Sequence, residues 1–254
     1  MNDLVSIIMP SFNTGRFIKE TIESVTKQTY KNWELIIVDD CSTDNTDDVV
    51  KEFLVDERIC YKKNEVNSGA AISRNRALQQ AKGKWIAFLD SDDLWTEDKL
   101  EKQVEFMKNN GYNFSYTNYV EIDEEGCQNG KMVTGPNKIT KRAMYNYCWP
   151  GCLTVMYNAE VVGLVQIEDI KKNNDYAMWL KVCKKADCYL LAQSLAKYRK
   201  RSGSISNHGY LKLIKWHYRL FRVAEGKNPI SAFMLTLGNL FFGVIKKLKY
   251  VKKI

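Results

Sequence analysis

The sequence predicts an α/β fold: a doubly wound, mainly parallel sheet flanked by helices, with a basic helical extension at its C-terminal end. Three observations lead there. Apolar runs alternate with amphipathic runs through the first hundred residues, polar residues gather where the apolar runs end, and positive charge collects in the last quarter of the chain.

The strand-like runs are "LVSIIM" (4–9), "ELIIV" (34–38), "RICY" (58–61) and "WIAFL" (85–89). The first and fourth are nearly unbroken apolar, as strands covered on both faces should be. Between the first two, "RFIKETIESVTKQ" places Phe17, Ile18, Thr21, Ile22 and Val25 on one helical face. "NTDDVVKEFL" and "AAISRNRALQQA" fill the next two gaps with similar periodicity. Strand–helix alternation implies right-handed crossovers and parallel pairing. After residue 112 the texture becomes α+β: "NFSYTNYV" and "GCLTVMYN" read as strands, "NDYAMWLKVCKKA" as a helix and "CYLLAQSLAKYRKR" as a long strand. The polar stretch 121–139 reads as a loop or exposed hairpin. Residues 1–112 and 113–206 are thus two halves of one domain, and 207–254 is an appendage.

At 254 residues, 45% hydrophobic and 27% charged, the chain has enough apolar material for one large core. The N-terminus enters a strand without a basic n-region or cleavage site, unlike a signal peptide. Seven cysteines with no CxxC pair read as reduced thiols of a cytosolic protein, and two histidines argue against structural zinc. The net charge of +8 divides unevenly. Residues 197–254 hold 14 Lys/Arg against Glu225 alone, a charge of +13, which leaves −5 on residues 1–196. An acidic body and a basic tail suggest two tasks.

Each early strand ends in a polar cluster: "PSFN" (10–13), "DDCSTD" (39–44), "NEVNSG" (64–69) and "DSDD" (90–93). Ligands of open parallel sheets bind outside these carboxyl ends, where the strand order reverses. Asp90, Asp92 and Asp93 repel one another, so a positive partner belongs among them. Asp93 alternatively suits the N-terminus of a helix beginning near Thr96. Neither GxGxxG nor GxxxxGK[ST] occurs, which counts against dinucleotide oxidoreductases and P-loop NTPases.

"VSIIMPSFN", "ELIIVDDCSTDNT", "NSGAAISRNRAL", "AKGKWIAFLDSDDLW" and "NDYAMWLKV" match, in order and spacing, the motifs of the inverting family 2 glycosyltransferases, which the chain resembles. The resemblance implies the GT-A fold, a Rossmann-like sheet that binds a nucleotide-sugar donor. It makes 1–112 the donor half and 113–206 the acceptor-binding and catalytic half. Asp90-Ser91-Asp92 resembles the D-x-D motif, in which one carboxylate reaches the ribose and the other a divalent metal, Mn²⁺ or Mg²⁺; Asp92 is the metal candidate. A hard dication would disperse charge on a departing nucleoside diphosphate.

By the same resemblance Asp40 meets the nucleobase, with Asp39 on the ribose or in a turn. Pro10, Ser11, Phe12 and Asn13 cover the base, Phe12 either stacking on it or lying in the core. Gly69 lets backbone approach the ligand, and Arg74 stands beside the nucleotide. Asp175 matches the catalytic base, deprotonating an acceptor hydroxyl, although first-turn acids also serve helix stability alone. Many members carry Glu-Asp there; this chain has Asn174-Asp175, with Glu168 and Asp169 as fallback bases. "YRKRSGSIS" resembles the loop that closes over the donor, with Arg201 where His is common, free to pair with the diphosphate. Trp149 faces an acceptor sugar or the core.

In the tail, "YLKLIKWHYRLFRV" sets Leu211, Ile214, Tyr218 and Phe221 near one face. Residues 230–245 are 16 mostly apolar positions followed by five lysines, short of the ~20 that span a bilayer. The expectation is a basic helix lying on the inner face of the cell membrane, or packed on the domain. No nucleic-acid module accompanies the charge. The expected partners are a nucleotide-sugar (UDP favoured), a lipid-linked glycan and the cytoplasmic membrane surface. Rival readings are a sugar nucleotidyltransferase, which would need a glycine-rich loop after strand one, and a membrane-attached scaffold with a dead site.

Overall fold

The computed structural model describes residues 3–170, 172–201 and 210–254. The first half folds as β1 (Val5–Ser11), α1 (Ile18–Thr26), β2 (Trp33–Asp39), α2 (Thr46–Lys51), β3 (Ile59–Lys63), α3 (Ala70–Leu78) and β4 (Trp85–Phe88). The four strands pair in parallel in the order β3-β2-β1-β4. The chain runs outward from β1 to β3, then returns to lay β4 on the other flank of β1. That reversal opens a crevice beyond the carboxyl ends of β1 and β4.

The chain continues through β5 (Leu94–Trp95), α4 (Lys99–Asn110), β6 (Phe114–Ile122), β7 (Gln128–Val133), β8 (Lys138–Ile139) and α5 (Lys141–Asn146). Then follow β9 (Met156–Asn158), α6 (Ala159–Val162), α7 (Asn174–Val182), β10 (Cys188–Arg199), α8 (Tyr210–Arg219), α9 (Pro229–Lys249) and β11 (Val251–Lys253). β9 joins β4 and β6 antiparallel, and β6 pairs antiparallel with β7, so the parallel core extends into a mixed sheet. β10 runs parallel to β6 and antiparallel to β5, with Ala196 opposite Trp95 and Lys197 opposite Leu94. This pairing brings the end of β10 to the "DSDD" segment.

Strand alternation divides the core. Ile8, Ile36, Val38, Ile86 and Phe88 face one layer with α3 and α7; Ile7, Met9, Leu35, Ile37 and Ala87 face the other with α1 and α4. Covering on both faces is why β1 is mostly apolar and fully buried. α1 buries Ile18, Thr21, Ile22 and Val25, the face its periodicity indicates. Trp179 of α7 is fully buried, edge-on to Phe88 at 5.2 Å and near Phe114 at 5.9 Å. Trp179→Ala is expected to cost about 3–5 kcal/mol, read as a lower urea midpoint.

Three local expectations differ. Of "GCLTVMYN" only Met156–Asn158 is strand; Cys152–Thr154 forms a 3₁₀ turn, because the Thr154 hydroxyl and N–H both bond the Gly151 carbonyl. α4 begins at Lys99, with Thr96 bonded to Asp98. The apolar tail segment is part of a 21-residue helix, since Pro229 starts it beneath an Asn228 cap and its lysines continue it. By length and composition α9 could cross a bilayer. One of its faces packs on the domain, however. Asn239 donates to the Tyr176 hydroxyl at 2.7 Å and the Tyr145 carbonyl at 3.2 Å, and Lys246 to the Trp149 carbonyl at 2.8 Å. Gly243 passes Tyr147 so closely that a Cβ there would lie 3.1 Å from the ring. β11 then pairs antiparallel with β7.

Candidate active site

The loops after β1 and β2 are tied into one frame. The Ser11 carbonyl accepts from the Asp40 N–H at 2.8 Å. The Ser11 hydroxyl meets that of Thr14 at 2.9 Å, which donates to the Ser91 hydroxyl at 3.0 Å. Asn13, in the left-handed region at φ 49°, receives the Thr43 N–H on its side chain at 2.9 Å. Pro10 is buried within β1, level with Val38. The polar side chains of Ser11, Asn13 and Ser91 therefore hold loops together. Phe12 is 44% exposed, so it does not lie in the core.

Asp39 makes the turn: its carboxylate accepts the N–H of Ser42 at 2.9 Å and also the Ser42 hydroxyl. Asp40 is buried and accepts from Asn64 Nδ2 and the Ser68 N–H, each at 2.8 Å, and from the Gly69 N–H at 2.6 Å. Three of about four acceptor positions are filled by protein. This carboxylate fixes the loop that opens α3. Gly69 sits at φ 90°, a conformation side chains resist, and a Cβ there would meet open space.

Beyond this frame lies a cleft of about 850 Å³. Gly69, Arg74 and Asp90 line it from the first half, Asn174 and Asp175 from the second and Trp216 from the C-terminal extension. Arg74, itself buried, joins the two sides. It donates to Asp90 at 2.5 Å through Nη2 and to the Asn174 side-chain oxygen at 3.0 Å through Nη1. Asn174 is thus the far anchor of this arginine. Asp175 occupies the first turn of α7 and accepts the Tyr176 N–H at 2.8 Å. Burial raises its pKa above the ordinary carboxylate value, with Arg74 opposing.

At the same edge Asp92 pairs with Arg201 Nε at 2.8 Å. Burial also raises the Asp92 pKa, Arg201 opposing and Asp90 adding to the rise. Asp93 is buried, accepts the Arg199 N–H at 2.8 Å, and is pushed well above the ordinary range by burial and its neighbouring acids. It bonds the end of β10 rather than capping α4.

Arg199 carries no separate signal in the sequence beyond the "YRKR" run. Its buried guanidinium holds the Asp92 carbonyl at 2.8 Å, the Glu124 carbonyl at 2.7 Å and Glu20 at 2.5 Å. Residues 202–206 of that loop lie outside the described residues. Of the fallback bases, Glu168 is paired with Lys181 at 2.6 Å and Asp169 is an exposed rim residue. Trp149 is core: buried, donating to the Ala143 carbonyl at 3.0 Å, with Phe242 and Tyr250 around it.

A parallel half-sheet with aspartates at its carboxyl edge, extended by antiparallel strands and faced by a helix that presents a further carboxylate, is the GT-A architecture of glycosyltransferases. The model of "Glycosyl transferase family 2" matches residues 6–156, and the chain belongs to that family. TuaG of Bacillus subtilis (strain 168) is 42% identical over 224 residues, covering 87% of this chain and 88% of TuaG. WfgD of Escherichia coli, named a UDP-Glc:α-D-GlcNAc-diphosphoundecaprenol β-1,3-glucosyltransferase, is 40% identical over 245 residues, covering 96% of this chain and 94% of WfgD. The crystal structure of S. aureus TarS 1–349 with UDP-GlcNAc shares the fold at a TM-score of 0.74 and 21% identity, over 94% of this chain and 72% of that one.

Proposed function

We propose that this glycosyltransferase moves a sugar from a nucleoside-diphosphate donor, UDP favoured, to a hydroxyl of a lipid-linked saccharide, inverting the anomeric carbon in one displacement. The observation that carries this reading is the Asp90–Arg74–Asn174 bridge, which spans the one cleft that Asp90 and Asp175 both line. Asp175 would take the proton of the attacking acceptor hydroxyl. Exposed Phe12 would stack on the base, and the Gly69 turn would let backbone approach the nucleotide. Arg201 would turn from Asp92 to the diphosphate when donor binds.

Asp90 and Asp92 fit a hard divalent cation, Mn²⁺ or Mg²⁺. Two crowded carboxylates suffice where phosphate oxygens complete the coordination. Such an ion supplies dispersal of the negative charge that gathers on the leaving diphosphate. The lipid-linked acceptor and the UDP donor are supported by the likeness to WfgD. Calorimetry with a nucleotide panel, with and without Mn²⁺, tests the reading. Metal-dependent UDP binding is expected; preference for nucleoside triphosphates would point to a nucleotidyltransferase, and no binding to a scaffold.

We place the protein peripherally on the cytoplasmic face of the membrane. α9 turns a continuous apolar stripe outward: Ile230 (79% exposed), Phe233, Leu237, Phe241, Val244 and Leu248 (81%). Lys247 and Lys249 follow at its end, facing anionic headgroups. Each large apolar side chain contributes about 1.5–3 kcal/mol on burial. Phe233→Asp with Phe241→Asp is therefore expected to reduce flotation with anionic vesicles more than tenfold. Unchanged flotation would remove α9 as the membrane contact.

A further inference from the structure

Beside the cleft lies a second, smaller cavity of about 340 Å³, and its walls are basic. Lys212, Lys215 and Arg219 stand three and four residues apart on α8, hence on one face, and Lys172 joins them from the segment before α7. Ile170 and Trp216 form its apolar part. Among the described residues no carboxylate pairs with Lys212, Lys215 or Arg219. Lys212, Lys215 and Arg219 around one small cavity repel one another, an arrangement that an anion of two or more charges would relieve. Burial lowers the Lys172 pKa, the shift that a nearby anion would reverse.

The position is informative. Ile170, Lys172 and Trp216 line both this cavity and the cleft that holds Asp175. Arg74 and Asp90, on the donor side, line only the cleft. The basic cavity thus adjoins the acceptor end. α8 also packs against α9, whose outward stripe is apolar. The cavity thus shares walls with the catalytic cleft and belongs to the helix that packs on the apolar-striped one, the adjacency that the sugar, phosphate and lipid of a lipid-diphosphate saccharide would need.

Resting on the function proposed above, we propose that Lys172, Lys212, Lys215 and Arg219 form the binding site for the diphosphate of the acceptor. It would hold the acceptor's first sugar toward Asp175 and discriminate against saccharides without a diphosphate.

The test is calorimetric binding of inorganic pyrophosphate to the full chain with Mg²⁺ and saturating UDP, which fills the donor site. Wild type is expected to bind pyrophosphate, and Lys212→Ala/Lys215→Ala/Arg219→Ala to bind it at least tenfold more weakly with UDP affinity unchanged. Equal pyrophosphate affinity in the two proteins, or no binding to wild type, overturns the proposal. So does a triple variant that loses only its flotation with phosphatidylglycerol vesicles, which would make the cluster a headgroup contact. Failure of wild type to bind UDP would instead strike the glycosyltransferase reading, while loss of pyrophosphate binding in the variant would still establish the anion site.

Discussion

Asp175→Asn is expected to lower kcat by about 10²–10⁴-fold, the range contributed by a positioned general base, while UDP binding stays at the wild-type level. The change keeps the size of the side chain and its acceptor for the Tyr176 N–H, and removes only the capacity to take a proton. Because burial raises the Asp175 pKa, wild-type kcat/KM should climb with pH along an acidic limb above the ordinary aspartate value of ~3.9. The variant should lack that limb. The sign for stability is opposite. A carboxyl that holds its proton more tightly folded than unfolded loses stability as pH rises from the unfolded value through the folded one. The amide escapes that loss, so Asp175→Asn should melt no lower than wild type at neutral pH. Full activity in the variant would pass the role to Asp169.

Asp92→Ala is expected to reduce kcat by about 10²–10³-fold, as when one preorganised charge-stabilising group is deleted, and also to weaken donor binding. Asp92 and Asp90 are the two carboxylates that reach the edge where the diphosphate would leave, and Asp93 is committed to the β10 backbone. Removing Asp92 would leave one of the two proposed metal ligands and would free Arg201. The informative measurement is UDP affinity against Mn²⁺ concentration. Wild type should show strong dependence and the variant little. Identical metal dependence in the two proteins would sink the assignment of residue 92.

Much of the fold was legible because its signals are local. The near-continuous apolar runs of β1 and β2 and the 3.6-residue period of α1 need no knowledge of partners. The crevice was legible too, since parallel topology itself puts residues 10–13, 39–40 and 90–93 on one edge. What stayed hidden depends on pairings distant in the chain. Only the β5–β10 contact brings Arg199 under Asp92, and only the docking of α7 beside α3 gives Asn174 to Arg74. Asp40 shows the same limit from the other side. Its motif position is plain in the sequence, yet the three donors that occupy it lie 24 to 29 residues away. Trp149 and Phe12 could each have gone inside or out by composition. α9, packed over Trp149, decides the first, and the open edge of β1 decides the second.

The fastening of the tail has a mechanical corollary. α9 is gripped along one side by Tyr145, Tyr176 and Trp149, and at its far end β11 is laced to β7. Were its outer side to rest on lipid, as proposed, the helix would act as a rigid keel and not as a leash. The cleft would then stand at a constant height above the bilayer, and reach would become a criterion of selection: glycans would be extended only while their growing end lies at that altitude.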